Sequence, residues 1–284
     1  MKHKDFAAFI LTHGRANKVF TYKTLRRLGY TGRIVVIIDN EDQSHEEYRE
    51  KFGDELYVFD KEKAAGYTDI GDNFPGRRGV VYARNACFDI AKDLGIRYFI
   101  MLDDDYTDFR HMADHQGNYV DKRLVDLDAL MDVMMDYYIS IPALTIAMAQ
   151  SGDYVGGDQG SAWRKPKRKA MNSFFCSTDR PFKFFGRINE DVNSYVDNGV
   201  RGGIFLTVMK VCLKQKRTQS NSGGLTELYL DSGTYVKTFY SVIYQPSSVK
   251  ISVLDGGSGP RIHHKVRWRN TVPVILTENF KKLS

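Results

Sequence analysis

The stretch Tyr98-Phe99-Ile100-Met101-Leu102-Asp103-Asp104-Asp105 decides the fold. A run of five residues this apolar is too short for a buried helix and suits a strand covered on both faces, as strands of parallel sheets are. Three consecutive carboxylates repel one another unless a cation offsets them. A strand ending in such a cluster belongs at the carboxyl edge of an α/β sheet, where ligands bind.

Working outward, residues 6–12 and 33–39 are apolar enough to be two more buried strands. Between them, residues 18–28 carry Val19, Phe20, Leu25 and Leu28 at helical spacing, and Gly29 is placed to end the helix. This is a βαβ unit. One or two helical turns follow at 46–52, then a strand at 56–59 and a helix at 80–94 closed by Gly95. The second half predicts a helix over 125–138, a strand over 144–149, a helix starting near Glu190 and a strand over 249–254. The fold class is α/β: a Rossmann-like, mostly parallel sheet flanked by helices. With no Pro/Gly/Ser linker and no repeat, residues 1–284 are expected to form a single domain.

Composition limits the function classes. The 284 residues carry 41 Lys+Arg against 35 Asp+Glu, a net charge of +6, with 42% hydrophobic residues. That excludes a disordered chain. The apolar stretch at 141–149 is about half the ~20 residues that a membrane-crossing helix needs, and Asp5 interrupts the only leader-like segment. No membrane association is expected. Cys87, Cys176 and Cys212 are odd in number and widely spaced, which fits a reducing cytoplasm and neither a disulfide framework nor a zinc site.

The polar clusters fall where a ligand would lie. Thr12, His13, Gly14 and Arg15 follow the first strand, Asp39 ends the second, and Asp103 to Asp105 follow the third. Hard divalent cations favour carboxylate and phosphate oxygens, so a strand-end Asp-x-Asp suggests a metal-bridged nucleotide. A solvated acidic turn would have the same sequence.

On these residues, with Arg84-Asn85 on the preceding helix, Asn189-Glu190-Asp191 as an x-E-D motif and His263-His264 near the C-terminus, the chain resembles the GT-A nucleotide-sugar glycosyltransferases. Within that class it is similar to the phage TET-associated glycosyltransferases, which modify 5-hydroxymethylpyrimidines in DNA. The resemblance implies a UDP-sugar donor (glucose or GlcNAc) and a Mn²⁺ or Mg²⁺ cofactor. It implies that Thr12, His13, Gly14, Arg15, Asp39, Arg84, Asn85, Asp103 and Asp104 hold the donor, while Asp105, Asp103 and His263 bind the metal. His264 competes with His263, since neighbours on an extended chain point opposite ways. Asp191 would be the catalytic base and Glu190 a contact to donor or acceptor, which gives inversion at the anomeric carbon. Residues 1–110 would form the nucleotide-sugar and metal half, and 111–284 the acceptor half. A phage-encoded enzyme of this kind would work in the host cytoplasm, and no obligate protein partner is evident.

Residues 160–187 add eight basic side chains against one acid. Within the loop at 150–187, Trp163, Arg164, Lys165, Lys167, Arg168 and Lys169 are the expected contacts to hydroxymethylated DNA, the cations tracking phosphates and the indole stacking on an exposed base. Most of Phe174, Phe175, Phe182, Phe184 and Phe185 are expected in the core instead. Two alternatives remain: a GT-A enzyme acting on a polysaccharide or protein acceptor, and a nucleic-acid-binding module that has lost catalysis. A sugar-1-phosphate nucleotidyltransferase is disfavoured, because its Gly-rich opening and downstream Pro-Lys are missing after the first strand.

Overall fold

The computed structural model describes residues 1–154, 156–159, 168–215, 236–256 and 259–271. Four parallel strands make one half of a nine-stranded sheet: β1 (Phe6–Leu11), β2 (Arg33–Asp39), β3 (Leu56–Phe59) and β4 (Tyr98–Asp103). The other half holds β5 (Tyr106–Ala113), β6 (Tyr119–Arg123), β7 (Thr145–Gln150), β8 (Phe174–Ser177) and β9 (Phe205–Gln215). The sheet order is β3-β2-β1-β4-β8-β7-β9-β5-β6. Strand β8 runs antiparallel to both β4 and β7, and β5 to both β9 and β6, so the far half is mixed. The α/β class expected from the sequence is present, with its parallel part concentrated in the first 110 residues.

Alternation along each central strand divides the core between two faces. Ala8, Ile10, Val36, Ile38, Ile100 and Leu102 face one side, where α1 (Phe20–Arg27), α2 (His45–Phe52) and α5 (Leu127–Ser140) pack with Leu25, Phe52 and Met131. Ala7, Phe9, Leu11, Val35, Ile37, Phe99 and Met101 face the other, against α4 (Val81–Asp93) and α6 (Glu190–Val200). The short α3 (Lys61–Ala65) is capped by Asp60, whose carboxylate accepts from the Lys63 N–H. Gly95, at φ 66°, closes α4 in the left-handed region that a side chain resists.

Phe174, Phe175, Phe182 and Phe184 are buried, as expected of core aromatics. Cys87, Cys176 and Cys212 are buried free thiols. Among the described residues no helix is long and apolar enough to cross a membrane. A separate antiparallel pair, β10 (Val249–Gly256) and β11 (Gly259–Val266), stands outside the large sheet and packs on a helix at Val236–Tyr244.

Register fixes where the polar clusters meet. Leu11 lies opposite Ile37 on one side and Asp103 on the other, so Thr12, Asp39 and Asp103 emerge at the same carboxyl edge.

Candidate active site

The loop after β1 is locked to the acidic cluster. Thr12 Oγ1 donates to Asp104 Oδ2 at 2.6 Å and pairs with the Tyr48 hydroxyl at 2.9 Å, while Arg15 Nε lies 3.2 Å from the same Asp104 oxygen. The Tyr48 hydroxyl accepts from the Arg15 N–H, and the Gly14 N–H donates to Asp42 Oδ2 at 2.6 Å. Asp104 is therefore buried with partners, and it organises the first loop.

Asp39 is 5% exposed. Its carboxylate pairs with His13 Nδ1 at 2.8 Å, accepts from Lys61 Nζ at 3.2 Å and accepts from the Glu41 N–H. Burial pushes its pKa up, but the His13 hydrogen bond and the Lys61 charge hold it below the ordinary carboxylate range. The same hydrogen bond raises His13 above the usual imidazole value. What this edge offers a ligand is the half-exposed imidazole of His13, with Asp39 behind it. Beside it opens a cavity of about 520 Å³ lined by Glu41, Thr68, Arg77 and Tyr82.

Asp103 and Asp105 present the negative charge at this edge. Asp103 accepts from the Tyr106 hydroxyl at 3.2 Å and from Arg84 Nη2 at 3.3 Å, yet its side chain remains 38% exposed. Burial, reinforced by repulsion from Asp103 and Asp104, pushes the Asp105 carboxyl up to about 7. This donor set fits a hard divalent cation, which is commonly held by one or two carboxylates and completed by phosphate oxygens and water. Among the described residues no group of three His, Cys, Asp or Glu side chains is gathered to hold an ion. His263 is thus not assembled with Asp103 and Asp105 into a three-ligand site as the sequence suggested.

The Arg84 guanidinium joins the two acidic motifs. It is buried, 4.8 Å over the Phe174 ring, with Nε 3.2 Å from Glu190 Oε1. Burial raises Glu190 to about 7 in spite of Arg84, and burial raises Asp191 too. Asp191 Oδ1 accepts the Val192 N–H at 2.8 Å, while the Glu190 carboxylate is tied to Arg84. Asn85 holds the segment before this motif: its side-chain O accepts the Phe184 N–H, and its side-chain N donates to the Phe184 carbonyl and to Thr68 Oγ1. Its amide acts within the protein, and through residue 184 it supports the x-E-D turn.

Asn189 opens α6 in the left-handed region, at φ 55°. Its Nδ2 donates to the Lys237 carbonyl at 2.7 Å and lies 3.3 Å from His264 Nδ1. His264 is therefore the histidine that touches the x-E-D motif, and burial lowers its pKa to about 4. The His263 and His264 rings lie 4.2 Å apart.

The basic segment divides. Trp163, Arg164, Lys165 and Lys167 lie outside the described residues. Arg168 is exposed, whereas Lys169 pairs with Asp153. Two cations counted with this segment are structural, one partly and one fully buried and both held by partners within the protein. Arg180 donates to the carbonyls of Ile141 and Ala143 at 2.7 Å and lies over the Tyr138 ring. Arg187 is 2% exposed and forms a two-pronged pair with Asp72 at 3.0 Å.

Several partners escape a reading of the sequence alone: Asp42, Tyr48 and Lys61, which fix the two nucleotide-side loops, and Tyr106 on Asp103. Asp42 had a signal, as a third acid soon after Asp39 in the turn following β2. The others are long side chains crossing between elements, with no local pattern to betray them.

A family model described as TET-associated glycosyltransferase matches residues 6–224 of this chain. No curated protein matches it. The crystal structure of mannosyl-3-phosphoglycerate synthase from Rubrobacter xylanophilus is similar at 12% identity and a TM-score of 0.46, over 92% of this chain and 84% of that one. The crystal structure of S. aureus TarS 1-349 is similar at 9% identity and a TM-score of 0.41, over 84% of this chain and 66% of that one.

Proposed function

The chain belongs to the TET-associated glycosyltransferase family, and from that membership and the carboxyl-edge geometry we propose that it moves a hexose from a UDP-sugar to the hydroxyl of a 5-hydroxymethylpyrimidine in DNA. The observation that carries this reading is Arg84, which couples the strand-end carboxylates to the x-E-D motif through contacts of 3.3 and 3.2 Å.

His13, Gly14 and Arg15 form the lip on which the nucleoside rests, with Asp39 orienting His13 and Asp104 orienting Arg15. Asp103 and Asp105 are the residues that would hold Mn²⁺ or Mg²⁺. A divalent cation bound there would supply positive charge against the negative charge growing on the departing diphosphate. Arg84 steadies Asp103 and favours the ionised form of Glu190 beside it.

Asp191 takes the proton from the acceptor hydroxyl as its oxygen bonds to the anomeric carbon. The bond from that carbon to the diphosphate breaks on the opposite face, and the configuration inverts. A carboxylate whose pKa is raised by burial is a stronger base than one in water, which suits this role. Glu190, held by Arg84, shapes the donor or acceptor side of the same turn.

Incubation with UDP-glucose or UDP-GlcNAc, Mn²⁺ and DNA containing 5-hydroxymethylcytosine is expected to release UDP and add a hexose mass to the base. Absence of product with every hydroxymethylated DNA would remove the DNA acceptor. A product of retained anomeric configuration would remove Asp191 as the single base.

A further inference from the structure

The β10–β11 ribbon presents two features to solvent. Lys250 and Lys265 are direct cross-strand partners, a like-charge pairing that destabilises a ribbon. Both are exposed, as are Arg267 and Arg269 just beyond, and none of the four has an acidic partner among the described residues. On the alternate positions, Ile251, Val253 and Ile262 are 45%, 64% and 44% exposed. Val253 pairs directly with Ile262, and Ile251 with His264, so the three share one face by strand periodicity.

That apolar row ends at the candidate site. His264 continues it and lies 3.3 Å from Asn189, which opens the x-E-D turn. The segment 249–271 contains five Lys or Arg against a single Asp. A two-stranded ribbon with cations on one face and bare aliphatic side chains on the other matches a duplex in shape and chemistry. Such ribbons fit a groove of DNA, cations neutralise its phosphates, and aliphatic wedges lean on partly unstacked bases.

We propose that the β10–β11 ribbon is a nucleic-acid-contacting arm, with Lys250 and Lys265 on the acceptor's phosphates and Val253 and Ile262 against its bases or sugars. The inference rests on the DNA-acceptor reading above. It adds to that reading a second basic segment of the sequence, and one that leads into the base-bearing turn. A base presented to Asp191 must leave the stack, and a wedge beside that turn fills the space it vacates.

The test is binding of the full chain to a fluorescent duplex containing 5-hydroxymethylcytosine across a salt series. Lys250→Gln with Lys265→Gln is expected to weaken binding about fivefold or more and to flatten the salt slope by about two, with UDP affinity unchanged and the melting temperature level or slightly raised. Val253→Ser with Ile262→Ser is expected to weaken duplex binding while leaving that slope intact. If the unaltered chain binds the duplex and both double variants bind it equally well, the ribbon assignment is overturned and the acceptor reading survives. If the unaltered chain binds no DNA, both fall. If the variants lose binding to phosphatidylglycerol vesicles but not to DNA, the ribbon is a lipid-facing surface and the assignment is overturned.

Discussion

Arg84 Nε lies 3.2 Å from Glu190 Oε1, a buried ion pair between α4 and the first turn of α6. The same guanidinium reaches Asp103 through Nη2 at 3.3 Å. One cation thus sets the spacing between the end of β4 and the x-E-D motif, two acidic clusters that lie far apart along the chain.

Removing that cation leaves two carboxylates at the site without a counter-charge. Arg84→Met is expected to cost about 3–5 kcal/mol of stability, the usual penalty for breaking a buried pair from one side. Denaturant unfolding measures it. Arg84→Lys keeps the charge but cannot fork to both carboxylates, so it should lose activity beyond its smaller stability loss. Unchanged unfolding of Arg84→Met would show that the pair does not bind the two motifs together.

Asp105→Asn separates function from folding. Three adjacent carboxylates repel one another in the folded protein, and neutralising one relieves that repulsion. With chelator present, the melting temperature of Asp105→Asn should equal or exceed that of the unaltered chain. Transfer should nevertheless fall by about a hundredfold or more, the scale seen when a charge-stabilising group is lost. A variant that keeps its turnover would end the role assigned to the strand-end carboxylates.

Arg187 holds the segment before α4. It pairs with Asp72 and donates to the carbonyls of Phe74 at 3.0 Å and Gly76 at 2.8 Å, while the Tyr240 hydroxyl also donates to Asp72. That segment carries Arg77, which lines the cavity beside Asp39. Asp72→Asn is expected to loosen it, raising the UDP-sugar KM with little change in kcat and speeding tryptic cleavage at Arg77 and Arg78. Cleavage at the original rate would reduce Arg187 to a packing role.

The parallel half of the sheet was legible because β1, β2 and β4 are buried on both faces and stand out as apolar runs, with the half-covered β3 at the edge. Strand β5 was not. Its sequence, Tyr106 to Ala113, mixes Phe109 and Met112 with Asp108, Arg110 and His111, and the charges are settled by partners such as Asp121 on β6 that no local pattern announces. Strand β9 did carry a signal, since Phe205, Met209, Val211 and Leu213 fall on alternating positions and are buried. At the site, sequence order located Thr12, Asp39, Asp103 and Glu190 but not what each touches. A count of charge cannot distinguish the buried, paired Arg187 from a cation facing solvent, so the basic surplus of residues 160–187 overstated the charge available to an acceptor.

The x-E-D pair should set the acid limb of the pH profile. The base must be ionised to accept the hydroxyl proton, so activity is lost as pH falls through its pKa. Burial raises both carboxyls, Glu190 to about 7. The limb is therefore expected well above the ~4 of a carboxylate in water. Each charge also opposes the other, so Glu190→Gln should make Asp191 easier to ionise and move the limb to lower pH, even as kcat falls. Asp191→Asn should abolish transfer at every pH. The measurement is kcat against pH for the three proteins at saturating UDP-sugar. A limb at an ordinary carboxylate pKa, or one that Glu190→Gln leaves in place, would remove the buried pair as its origin.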